Sequence, residues 1–133
     1  MAQEDKIKRE IDRIGLVLAK LLNILLHKNN HHEEAINDFV QQTKNELDID
    51  LPSFLEMDNN DSLQYLVKEK NFSHEHLRAF ANLLYEIAGN TTNQEQERKL
   101  KNKALVIYEY IHVNGGGTLY LDVVYRIKEL KSS

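Results

Sequence analysis

Apolar side chains recur along most of this chain at steps of three and four residues, the period of an α-helix. Ile7, Ile11, Ile14, Leu18, Leu21 and Leu25 form the first stripe and predict a helix over about 4–28. Asn29 and Asn30 interrupt it. Asn30, with Glu33 three residues on, has the form of a capping box for a second helix over 31–47. Its stripe is Ala35, Ile36, Phe39, Val40 and Leu47, with Thr43 among them.

An acidic connector over 48–60 follows. Pro52 restricts the residue before it, and Leu51, Phe54 and Leu55 can form one helical turn that pins the connector to the core. Asp61 is the expected cap of a short helix over 62–70, with Leu63, Leu66 and Val67 inward. Ser73 caps the next helix and Glu75 complements the dipole of its first turn. That helix carries Leu77, Phe80, Ala81, Leu84, Ile87 and Ala88 to the core, and Gly89 with Asn90 ends it.

A polar stretch over 91–97 leads to a helix with Leu100, Ala104, Ile107, Tyr108 and Ile111 as its stripe, stopped by Asn114 and the run Gly115 to Gly117. Thr118 caps a last helix reaching about residue 131, which uses Tyr120, Val123, Val124, Ile127 and Leu130. Residues 118–125 are rich in β-branched and aromatic side chains and could form a strand, but no other segment offers that strand a partner. The expectation is one all-α domain over 1–133, an irregular array of five to six antiparallel helices.

Within this pattern, Ala104 and Tyr108 follow the small-x-x-x-aromatic step that tetratricopeptide repeats place in their second helix, so the C-terminal half resembles one such unit. The turn before it is longer than the repeat's, and no second copy appears at the repeat's period of about 34 residues, so the array is TPR-like only. With its opening helix Ile11-Asp12-Arg13-Ile14-Gly15-Leu16-Val17-Leu18-Ala19-Lys20-Leu21-Leu22 and the segment His32-Glu33-Glu34-Ala35, the chain is similar to a small bacterial family of all-helical proteins of unknown function. The resemblance covers most of the chain. It implies a helical fold and transfers no catalytic residue.

Composition narrows the chemistry. The chain has no cysteine, which removes disulfides, thiolate metal ligands and a thiol nucleophile, and fits a reducing compartment. A formal charge of −4 argues against nucleic acid as the main partner. The apolar run over 14–26 contains Lys20 and Asn23 and is shorter than the roughly 20 residues a membrane span needs. Acidic residues precede it, unlike a secretory leader, so the expected location is cytoplasmic.

The first helix carries the one unusual surface. At about 100° per residue, Arg9, Arg13, Lys20, Asn23 and His27 share one sector, while apolar residues fill roughly 220°, about twice what one buried face requires. Either neighbouring helices cover both flanks, or Gly15, Ala19, Leu22 and Leu26 are left for another chain, for which a twofold homodimer is the common solution; binding to a membrane surface would need a more basic polar face than this helix has. Tyr110 and Tyr125 fall off the expected stripes and are further interaction candidates.

Other patterns are weaker. His27, His31 and His32 straddle a helix break, and His74-Glu75-His76 lacks zincin spacing, so no metal site is expected. The Asp58, Asn60, Ser62 and Glu69 pattern has Leu63 where a calcium loop needs glycine. Glu46, Asp48, Asp50, Glu56, Asp58 and Asp61 form an acidic run, and Arg98, Lys99, Lys101 and Lys103 a basic counterpart that could pair with it. No serine has a nucleophile-elbow context, and neither a catalytic residue nor a cofactor is expected. The resulting reading is a non-catalytic protein–protein interaction or scaffold module, with a homodimer through the first helix as one form of it. The alternative is a small-molecule-binding protein or enzyme with a site between helices.

Overall fold

The computed structural model describes the backbone of residues 2–27, 32–115 and 120–132, and the side chains of residues 13–26, 36–115 and 120–132. Among them lie seven α-helices and no strand: α1 (Ala2–His27), α2 (His32–Leu47), α3 (Leu51–Glu56), α4 (Asn59–Gln64), α5 (His74–Asn90), α6 (Gln94–Asn114) and α7 (Leu121–Ser132). A π-helical turn, Tyr65–Glu69, continues α4. The Asn29–Asn30 break, the Asn30–Glu33 capping box, the packing of Ile7, Ile11 and Ala35, and the Thr118 cap lie outside the described residues.

α5 is the central element. It packs most extensively on α6, next on α1, and also touches α2. Leu77, Phe80, Ala81, Leu84, Ile87 and Ala88 are all buried, as their spacing predicts. Leu83 and His76 are buried as well, because α1 covers a second side of the helix that the single stripe does not reveal. Phe80 is the aromatic hub. Phe54 of α3 meets it edge-on at 5.6 Å between ring centroids, and Phe72 at 5.8 Å. α6 contributes Leu100, Ala104, Ile107, Tyr108 and Ile111, all buried. The small Ala81, Ala88 and Ala104 all lie in this core.

Local chemistry sets the helix ends. Ser73 and His76 form a reciprocal cap: the His76 amide donates to Ser73 Oγ, and the Ser73 amide donates to His76 Nδ1, each at 3.2 Å. Histidine thus fills the role usually taken by Glu or Gln, and its Nδ1 must be unprotonated to accept. α2 and the π-helical turn are followed by non-glycine residues in the left-handed region, Asp48 at φ 55° and Asn71 at φ 58°. Asp and Asn tolerate this conformation better than other side chains. Each is followed at once by a buried apolar residue, Ile49 or Phe72.

Two boundaries differ from the sequence expectation. The short helix begins at Asn59, not Ser62, because Asp58 rather than Asp61 caps it, accepting from the Asn60 amide at 3.3 Å. α6 begins at Gln94, inside the stretch expected to be a polar connection, because Asn93 Oδ1 accepts from the Gln96 amide at 3.1 Å. The α5–α6 connection is therefore only residues 91–93. The last segment is helical, with the Val124 amide bonded to the Tyr120 carbonyl at 3.1 Å, which resolves the strand alternative.

Two substitutions on α1 test this packing. Leu18 is fully buried, so Leu18→Ala should destabilise by about 2–5 kcal/mol in urea unfolding. Leu16 is 72% exposed, so Leu16→Ala, compared at high dilution where the chain is a monomer, should stay within about 0.5 kcal/mol of the parent protein.

Candidate interaction surfaces

The exposed arc of α1 differs from the one its wheel suggests. Ile14, Val17, Leu18, Leu21 and Leu25 are buried against α2 and α5. Two of the four residues expected to remain open lie on covered flanks. A Cβ placed on Gly15 would sit 3.7 Å from His76 Nε2, so Gly15 faces α5, and Leu22 is half-buried against the core. Ala19 and Leu26 remain exposed, Leu26 at 53%. Leu16 joins them, although on the wheel it lies among Arg13, Lys20 and Asn23. Its signal in the sequence was a leucine inside a polar sector. Arg13 is used internally, donating to the Glu46 carbonyl at 2.9 Å.

The two candidate tyrosines separate. Tyr125 is 66% exposed, and Leu121, one turn earlier on α7, is also exposed. Tyr110 is not exposed: it is half-buried against the core, and the His74 ring meets it edge-on at 6.1 Å. Its off-stripe position is covered by the start of α5, which a single-helix wheel cannot show.

α7 packs on α6, and it reaches α5 through long side chains. Arg78 of α5 bonds Asp122 at 3.0 Å and lies 4.7 Å from the centroid of the Tyr120 ring. Arg126 of α7 lies 3.8 Å from the centroid of the Tyr85 ring on α5. Tyr120 donates to Glu75 at 2.6 Å, and Tyr85 donates to Glu129. Each phenol donates to a carboxylate, so ionising it would set two negative charges side by side. The pKa values of Tyr85 and Tyr120 are accordingly raised, chiefly by these hydrogen bonds.

The acidic run from Glu46 to Asp61 is met by cations from elsewhere in the fold. Lys99 pairs with Glu56, Lys70 lies 3.7 Å from Asp48, and Lys20 lies 4.0 Å from Glu46. Lys103 departs furthest from its surface expectation, for it is buried. Its ammonium donates to the Met57 carbonyl at 2.5 Å, to Asn59 Oδ1 at 3.1 Å and to Ser62 Oγ at 3.3 Å. These acceptors span the end of α3 and the start of α4, so one side chain of α6 fixes both. Burial lowers the Lys103 pKa, while Asp58 and Glu56 oppose that shift. Ser62, once part of a calcium-like pattern, is buried beside it and donates to the Asn59 carbonyl at 2.8 Å.

Beside this node, an open groove of about 330 Å³ runs between α2, α3 and α6. Val40, Leu51, Pro52 and Leu55 line its apolar part, and Glu56, Gln96 and Lys99 its polar part. Among the described residues no cluster of three or more His, Asp or Glu could hold a metal ion. The side chains of His27, His31 and His32 lie outside the described residues. No helix among the described residues is long and apolar enough to cross a membrane. No protein-family model, curated protein or solved structure matches this chain.

Lys103→Met keeps the apolar stem but leaves three acceptors without their donor. It should destabilise by about 1–3 kcal/mol in thermal or urea unfolding. A second expectation concerns alkaline pH. Burial raises the Tyr108 pKa above the ordinary 10.0. Its contribution is therefore complete below that value and is lost as pH rises through and beyond it. Lys103 acts in the opposite sense, its cost being relieved towards its ordinary 10.5. Between about pH 9 and about pH 11 the urea midpoint should fall less for Tyr108→Phe than for the parent chain.

Proposed function

We propose that this protein is a non-catalytic protein–protein interaction or scaffold module, and that the exposed flank of α1 is where a second copy docks. The observation that supports this reading is the pair Leu16 and Leu26, 72% and 53% exposed on a helix that buries Ile14, Val17, Leu18, Leu21 and Leu25 in the fold. Ala19 lies between them and allows close approach of a neighbouring helix. A twofold arrangement lets the same patch serve on both chains. Lys20 and Asn23 on the same exposed side would form the polar rim that sets register. The resemblance to a helical bacterial family and the TPR-like step at Ala104 and Tyr108 accord with a binding scaffold. A cytoplasmic setting fits a chain without cysteine.

A second reading, a small-molecule site between helices, draws on the groove beside Leu51 and Lys99. Its volume of about 330 Å³ lies at the low end of the ligand-pocket range.

Light scattering across a concentration series tests the dimer. The mass should rise towards twice that of the chain at high micromolar concentration. Leu16→Glu with Leu26→Glu should return it to a monomer while leaving the helical circular dichroism unchanged. A monomer at every concentration removes the dimer. Leu22→Glu is the poorer probe, because Leu22 also packs on the core.

A further inference from the structure

We propose that α7 is an electrostatically fastened strap, which detaches from α5 and α6 as a unit when its charge contacts are weakened, while the remaining helices stay folded.

The argument begins with what fastens it. Among the α7 side chains only Val123 is fully buried; Ile127 and Leu130 are partly covered, as is Tyr120 just before the helix. Leu121 and Tyr125 face outward at 60% and 66% exposure. By contrast, α5 buries eight residues and α6 six. Elements with few buried apolar contacts and many solvent-accessible polar ones are those that open locally below the global unfolding free energy.

The polar contacts form a reciprocal clasp. α5 offers an arginine and a tyrosine seven residues apart, Arg78 and Tyr85. The α7 segment offers a tyrosine and an arginine six apart, Tyr120 and Arg126. Each arginine lies against the other segment's ring. Carboxylates close each half: Asp122 and Glu75 around Arg78 and Tyr120, and Glu129 around Tyr85 and Arg126. Lys131 adds a pair with Glu109 of α6 at 3.4 Å. None of these ions is sealed from solvent. The side chains of Arg78 and Asp122 are 33% and 40% exposed, and those of Lys131 and Glu109 are 58% and 43% exposed. Such pairs are screened by salt, whereas the packing within the core is not.

What the strap covers is also specific. Tyr108 of α6 donates to Asn82 of α5 at 2.5 Å. Asn82 lies about one helical turn from both Arg78 and Tyr85, on the face of α5 that the α7 clasp holds. Detachment would uncover the surface of α6 on which α7 packs.

Hydrogen exchange of the full chain, read by mass spectrometry on peptides covering 121–132 and 77–88, tests the strap. Raising sodium chloride from about 50 mM to about 0.5 M should speed exchange in α7 by about tenfold or more and leave α5 unchanged. The Arg78→Gln, Arg126→Gln double variant should show the fast α7 exchange already at low salt and respond little to more. Exchange of α7 in step with α5 at both salt concentrations would overturn the strap. Fast α7 exchange that ignores salt in the parent chain would overturn its electrostatic fastening.

Discussion

The fold depends on the burial of α5 on more than one side. A helix covered by a single neighbour needs one apolar stripe, and the rest of its surface can be polar. α5 instead meets α6 along one side and α1 along another, and Leu83 and His76 are buried as a result. The remaining elements are arranged around that requirement. Phe54 and Phe72 close over Phe80 from the connector side, and α2 supports α1 from behind. Apolar burial of this kind is the main favourable term in folding, and here it is concentrated in one helix and its immediate cover.

Around this apolar centre, charge serves mainly to position peripheral elements. Lys103 is the clearest case. A lysine on the inner face of α6 would be costly if its ammonium met only hydrocarbon. Its length lets it reach the Met57 carbonyl and the polar groups of Asn59 and Ser62, so the α3–α4 corner is tied to the core by a single ammonium. Lys99 and Lys70 pair with carboxylates of the same connector nearer the surface. The net negative charge therefore does not translate into an undivided acidic face.

Much of this was legible in the sequence because it depends on period. The stripes of α5 and α6 were readable residue by residue, as was the Ser73 cap. Asp58 and Asn93 were missed as caps because competing candidates, Asp61 and the polar run beyond Thr91, look equally suitable in one dimension. Lys103 was unreadable for a different reason: its burial depends on acceptors more than 40 residues away, and no local pattern announces them. Of the interaction candidates, Ala19, Leu26 and Tyr125 are exposed, whereas Gly15, Leu22 and Tyr110 lie on flanks that neighbouring helices cover. A helical wheel assigns angles but not neighbours. Leu16 shows the converse, an apolar residue left exposed inside a polar sector.

The corners at Asp48 and Asn71 have a consequence for how the gene can vary. Each turn is one left-handed residue followed immediately by an apolar plug, Ile49 or Phe72. The bend and the anchor are thus in fixed succession. One extra codon between Asn71 and Ser73 would pull Phe72 from its seat on Phe80, or start α5 about a quarter-turn out of phase. Drift at these corners is therefore confined to identity, with Gly, Asn and Asp interchangeable at the bend, while the spacing is rigid.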